Sequence, residues 1–286
     1  MLSRRRFLSY TAATAGAAFA SSLKLRAAAA TASGLEFGVQ LYTVRNDIKD
    51  VGATFEMIRK IGYTKIETYP IVYDRPAKAL RALISEHGLT APSGHFDYET
   101  LDAHVEYAAE LGVEYMICPM LPEPLWNSLD GFRKGAEQLN KVAAKAKAAG
   151  LKFGYHPHNY EFKPIDGSRG FDVLMKELDP AVKLELDLYW VTEAGQDPIK
   201  LMHENRKRLA LIHIKDHKPD FTPSFKPDEH AEHFTEAGAG IIDWKKDLGE
   251  ARKLGVTQFF VDQDGSDHPV KQSLEMNWEY LSKLSF

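Results

Sequence analysis

The chain has a single cysteine, Cys118, so no intrachain disulfide can hold it together in any compartment. Set in "YMICPM", that cysteine reads as a buried strand residue rather than a nucleophile. Basic charge is not in excess either. The 36 lysines and arginines face 40 acids, a net of −4, which gives little pull on a phosphate polyanion. No apolar run is followed by G-x-G-x-x-G, and "GAGIIDW" (238–244) lacks the third glycine, which argues against a nucleotide loop. No linker or internal repeat divides the chain. What remains is ordinary for a soluble globular protein: 286 residues, 44% apolar and 27% charged.

The first 30 residues differ in layout. Arg4, Arg5 and Arg6 open a weakly apolar run that closes on small residues between Ala27 and Ala32. That is a signal-peptide arrangement, too short and too polar to span a bilayer. Ser3 to Leu8, "SRRRFL", resembles the twin-arginine signal. The expectation is export by the twin-arginine machinery, a periplasmic mature protein without a stable membrane span, and a boundary near residue 30. Losing Arg4, Arg5, Arg6, Lys24 and Arg26 would leave 31 basic residues against 40 acids, a net of −9. Nucleic acid is not an expected partner.

From residue 35 onward, eight short apolar runs alternate with helical patterns. The runs lie at 35–44, 64–70, 90–96, 114–120, 151–157, 182–190, 209–216 and 257–264. Between them apolar residues recur three and four apart, as at Phe55, Ile58 and Ile61. Gly62, Gly88, Gly112, Gly150 and Gly255 each precede an apolar residue at a helix-to-strand junction, the place for a left-handed cap. Strict alternation implies a parallel sheet with crossover helices, and eight units match a single-domain (β/α)8 TIM barrel over 31–286. One connection is long, 217–240, with three prolines and three histidines; it reads as a binding loop or lid whose histidines need not be ligands.

In such a barrel, the C-terminal ends of the strands share one face. Those ends carry Glu67, His95, His156, His158, Glu161, Asp187, His213, Asp216, Asp262 and Asp264, with Glu185 the one rival deeper in a strand. Each has a bland explanation: Asp187 as a cap, His213 as a satisfied core histidine. Together they would repel or lose hydration in a low-dielectric mouth, which a divalent cation relieves.

"GVQLYTVR" (38–45), "GYHPHNYEF" (154–162), "LELDLYWV" (184–191), "LIHIKD" (211–216), "GAGIIDW" (238–244) and "FFVDQD" (259–264) resemble the xylose isomerase-like TIM-barrel superfamily, the sugar phosphate isomerase/epimerase group. The resemblance implies one divalent metal, with Mn²⁺ favoured over Zn²⁺, Co²⁺ or Mg²⁺. Its implied ligands are Asp187, His213, Asp262 in place of the usual Glu, and a strand-five group. His156 stands where relatives carry a Glu, so Glu161 or His156 completes the shell; Glu161 is the expected ligand. The implied chemistry is proton transfer next to a carbonyl through an enediolate. Glu161 or Asp262 would act as base, with His158 or His156 as acid for a leaving oxygen. Glu67, His95, His156 and Asp264 would contact a carbohydrate or polyol. Tyr42, Phe96, Trp126 and Trp190 could offer flat faces or simply pack. The expected activity is isomerase or epimerase; alternatives are a lyase on keto-sugars, an idle sugar-binding barrel, and an abasic-site endonuclease, which the acidic charge disfavours.

Overall fold

A computed structural model describes residues 31–219, 222–227 and 229–286. The expected export signal therefore lies outside the described residues. All eight expected strands form, each inside its apolar run: Phe37–Gln40, Lys65–Thr68, Thr90–His95, Tyr115–Cys118, Lys152–Tyr155, Lys183–Asp187, Leu209–Ile214 and Gln258–Val261. We number them as barrel strands one to eight. They pair in parallel, each with its sequence neighbour, and strand one closes on strand eight. Both faces of these strands are covered, which explains runs such as "YMIC" in place of an apolar–polar alternation.

Helices wrap the barrel with their apolar stripes inward: Phe55 and Ile58 on Val51–Ile61, Leu80 and Ile84 on Ala77–Glu86, Phe132, Leu139 and Val142 on Leu129–Ala148. Asp50, Ser128 and Asp243 start their helices by accepting backbone N–H bonds, which satisfies donors that have no partner in a first turn. The five junction glycines all adopt positive φ, for example 86° at Gly112 and 92° at Gly255, where a Cβ would be strained.

One element departs from expectation. The run 182–190 is not one strand: it ends at Asp187, and Leu188–Glu193 is a helix. The Asp187 carboxylate stops the strand by accepting from the backbone N–H of Tyr189 (2.8 Å) and Trp190 (3.2 Å). Inside the barrel Tyr115, Ile117, Leu211 and Phe260 form an apolar plug. The registers place Gln40 opposite Glu67 and Asp187 opposite His213, and the Phe260 ring lies 6.4 Å from that of His213. The polar strand ends thus form one cluster at the mouth, next to the apolar filling.

Candidate active site

The cluster has a deeper and an outer part. In the deeper part, two carboxylates face three imidazoles. Glu67 accepts from His213 Nε2 at 2.7 Å and from Gln40 at 3.0 Å, and also bonds the Ser93 hydroxyl. His95 Nε2 lies 2.7 Å from Glu185 and 3.2 Å from Glu67. Burial alone would raise the Glu67 pKa, but His95 and His213 hold it far below the carboxylate range. Glu185 falls to about 2, with burial and Glu67 opposing and His213 and His95 prevailing. Reciprocally, and against burial, His95 rises to about 10. His156 differs: burial dominates and keeps it neutral, well below the usual imidazole value.

The outer part gathers His156, His158, Asp187, His213, Asp262, Asp264 and a residue that strand-end reading passed over, Lys215. Its ammonium is fully buried, bonded to Asp264, 2.9 Å from Asp187 Oδ2 and 3.4 Å from Asp262 Oδ2. Desolvation opposes charge on Lys215, but three carboxylates outweigh it and raise its pKa well above normal. Burial lifts Asp264 to about 6 against the attraction of Lys215. Burial also raises Asp187. Asp262 is pulled well below its normal value by Lys215 and His213 despite burial. His158 is lowered to about 3 by burial and then by Lys215, so it is neutral, with Nδ1 lacking any hydrogen-bond partner.

A divalent cation fits this arrangement. One ligand atom from each of His156, Asp187, His213 and Asp262 lies within 4.8 Å of the others. His156 Nδ1 and Asp262 Oδ1 are buried without a hydrogen-bond partner, a costly state for polar atoms unless a cation satisfies them, and Asp187 Oδ2 is paired with the Lys215 ammonium. His213 Nδ1 faces the acids, 3.2 Å from Asp262, while Nε2 is held by Glu67, as when a carboxylate orients a metal-binding imidazole. Two nitrogens and two oxygens suit Zn²⁺, Co²⁺ or Mn²⁺. Charge also balances, because Asp187, Asp262 and Asp264 would match one dication plus the Lys215 ammonium.

Glu161, the expected ligand, is not in this group. The 3₁₀ turn Tyr160–Phe162 turns its carboxylate to Tyr155 Oη (2.5 Å) and the backbone N–H of His158 (2.9 Å). There it braces the segment that carries His156 and His158. Trp190 lies beside His158 (5.1 Å between rings) and Lys215 (4.9 Å). Tyr42 sits near the rim under the Arg45 guanidinium, 3.8 Å away, which is itself tied to the Asp264 carbonyl. Phe96 stacks on Tyr73 and Trp126 on Tyr160, so both pack. Asp216 organises the long loop, accepting from Gly238, Ile242 and the Trp244 indole. Cys118 is buried and its thiol is pushed up by burial, which makes it inert.

Comparison with known proteins gives a consistent kinship. Residues 55–276 match the family model described as xylose isomerase-like TIM barrel. An inosose dehydratase of Geobacillus kaustophilus (strain HTA426) is 22% identical over 84% of this chain and 91% of that protein. A sugar phosphate isomerase/epimerase structure from Parabacteroides distasonis ATCC 8503 superposes with a TM-score of 0.73 at 24% identity, covering 89% of this chain and 96% of that one. An IolI protein structure with a bound zinc atom superposes with a TM-score of 0.69 at 15% identity, over 86% and 96%. The chain belongs to the xylose isomerase-like TIM-barrel family and is an enzyme.

Proposed function

We propose that this enzyme removes the proton next to the carbonyl of a polyhydroxylated ketone, a keto-sugar or keto-cyclitol, and completes the reaction by expelling water. The observation that carries this reading is the convergence of His156, Asp187, His213 and Asp262, with partnerless buried atoms on His156 and Asp262, beside a buried ammonium and a neutral imidazole. A divalent ion held by His156, Asp187, His213 and Asp262 would supply Lewis-acid stabilisation of charge developing on the carbonyl oxygen. Lys215 adds a second positive group at the same place and can donate a hydrogen bond to that oxygen. His158 is the acid–base group. Burial keeps it unprotonated, and Nδ1 is available to take the C–H proton. The electron pair passes into the enediolate. On its collapse the neighbouring C–O bond breaks, and the proton on His158 goes to the leaving hydroxyl, so that water departs. Trp190 offers a flat wall to the ring, and Tyr42 and Asp264 edge the opening. Elimination is favoured over isomerisation by the curated relative named inosose dehydratase.

Isomerisation or epimerisation is the second reading, because the same enediolate leads to it if a proton returns to carbon instead of to the leaving hydroxyl, and the bonded pair Asp264 and Lys215 offers a second acid–base group. Incubation with inososes, 3-keto-sugars and free sugars in D₂O separates the two. Loss of water supports elimination; deuterium entering substrate carbon without loss of water supports isomerisation; neither occurring with any polyol ketone would reject both. We further propose that residues 1–30 direct twin-arginine export to the periplasm, where unphosphorylated sugars would be the substrates. Among the described residues no helix is long and apolar enough to cross a membrane.

A further inference from the structure

A second group of metal-capable side chains lies outside this cluster, under the long loop. Glu193 ends the helix Leu188–Glu193 and is 1% exposed. His217 lies in the two-residue strand Asp216–His217, which pairs with Phe234–Thr235, and is fully buried. His233 ends the 3₁₀ turn Ala231–His233. One ligand atom from each of the three lies within 4.8 Å of the other two. His233 Nδ1 is buried without a hydrogen-bond partner.

The hydrogen bonds define the chemistry. His217 Nδ1 lies 2.6 Å from the Lys218 carbonyl, an acceptor only, so this nitrogen carries a proton. Nε2 then faces Glu193 Oε2 at 2.6 Å, a hydrogen-bond distance. A divalent ion would replace that hydrogen bond and part the two atoms to roughly 3.3 Å, the separation that two bonds of about 2.0–2.1 Å at a tetrahedral angle set. An imidazole whose Nδ1–H is held by a backbone carbonyl is oriented to bind a metal through Nε2. The other Glu193 oxygen is held by His230 Nδ1 at 2.8 Å, which orients the carboxylate.

We propose that Glu193, His217 and His233 form a second divalent-cation site of the zinc type, with a fourth position left to solvent. It shares no residue with the active-site cluster. Its effect would be to pin the loop. The next residue, Phe234, packs at 4.7 Å on the Tyr189 ring and 5.7 Å on Trp190, and lies 5.5 Å from the Lys215 ammonium. An ion on His233 would therefore fix Phe234 as one wall of the active site.

The test uses the full chain, stripped with chelator, reloaded with Zn²⁺ and freed of excess ion. Elemental analysis should find one equivalent more Zn²⁺ in the wild type than in His233→Gln, with His217→Gln showing the same loss and circular dichroism confirming that both variants fold. The difference is expected whether or not the first cluster loads, so failure of the catalytic reading leaves it intact. A second readout needs only the wild type: Zn²⁺ should slow cleavage by a glutamate-specific protease after the exposed Glu232 in the loop at least several-fold. Equal zinc content in folded variants and wild type, or cleavage at Glu232 indifferent to Zn²⁺, would overturn the site.

Discussion

Replacing Glu161 by Gln should stabilise the protein at alkaline pH and leave it nearly unchanged in mild acid. Burial raises this carboxyl from 4.5 to about 7, although Tyr155 and the His158 N–H favour its ionised form. The folded chain therefore keeps a proton that the unfolded chain has released between those values. The stability carried by this group is complete below 4.5 and is lost as pH rises through 7. At ~1.4 kcal/mol per pH unit, the cost is about 3 kcal/mol once the pH exceeds 7, and about 2.5 kcal/mol of it develops between pH 5 and pH 8. Glutamine is neutral at every pH. Its carbonyl can accept from the His158 N–H and its amide can face the Tyr155 hydroxyl. Thermal unfolding at the two pH values reads the difference: the variant should gain roughly 5–8 °C over wild type at pH 8 and little at pH 5. Metal content should be unchanged. A variant that loses its metal, or whose Tm difference from wild type is the same at both pH values, would refute the bracing role and return Glu161 to the ligand shell.

Asp187→Asn should keep the fold, because asparagine caps a helix as well as aspartate does, while metal affinity drops by more than the ~10–100-fold that loss of an outer hydrogen-bond partner costs; calorimetric metal titration and Tm check the two halves. Lys215→Met should leave three carboxylates without their cation and cost ~3–5 kcal/mol, measured by urea unfolding of metal-free protein, with part of the loss recovered on adding a divalent ion. An unchanged midpoint would mean that the ammonium does not balance these acids. Arg4→Lys with Arg5→Lys should leave precursor in the cytoplasm, read by cell fractionation; normal delivery would point to the general secretory route.

The barrel was legible because both its periods are local. Short apolar runs, stripes three and four apart, and glycines at helix ends all reflect backbone physics that neighbours do not override. The convergence of Glu67, His95, His156, Asp187, His213 and Asp262 was legible for a related reason: once strand order is known, strand ends share a face. What stayed hidden depends on where one side chain turns. Glu161 and His156 are five residues apart in a loop, and only the 3₁₀ turn at Tyr160–Phe162 shows that one faces the Tyr155 hydroxyl and the other the mouth. Lys215 in "LIHIKD" resembles any lysine at the end of a strand, and its burial follows from acids on strands six and eight. In sequence Asp187 fits both a cap and a metal ligand; in the structure one oxygen caps the helix while the other faces the cluster.

A divalent ion on His156, Asp187, His213 and Asp262 is proposed to enable removal of a proton next to a substrate carbonyl. The most direct measurement is the rate of that proton's loss from a keto-cyclitol in D₂O, followed by nuclear magnetic resonance, with chelator-stripped enzyme before and after return of Mn²⁺ or Zn²⁺. The stripped enzyme should show a rate near background, restored by stoichiometric metal, with Asp187→Asn unresponsive at the same metal concentration. Full-rate proton loss by stripped enzyme would contradict this role of the ion.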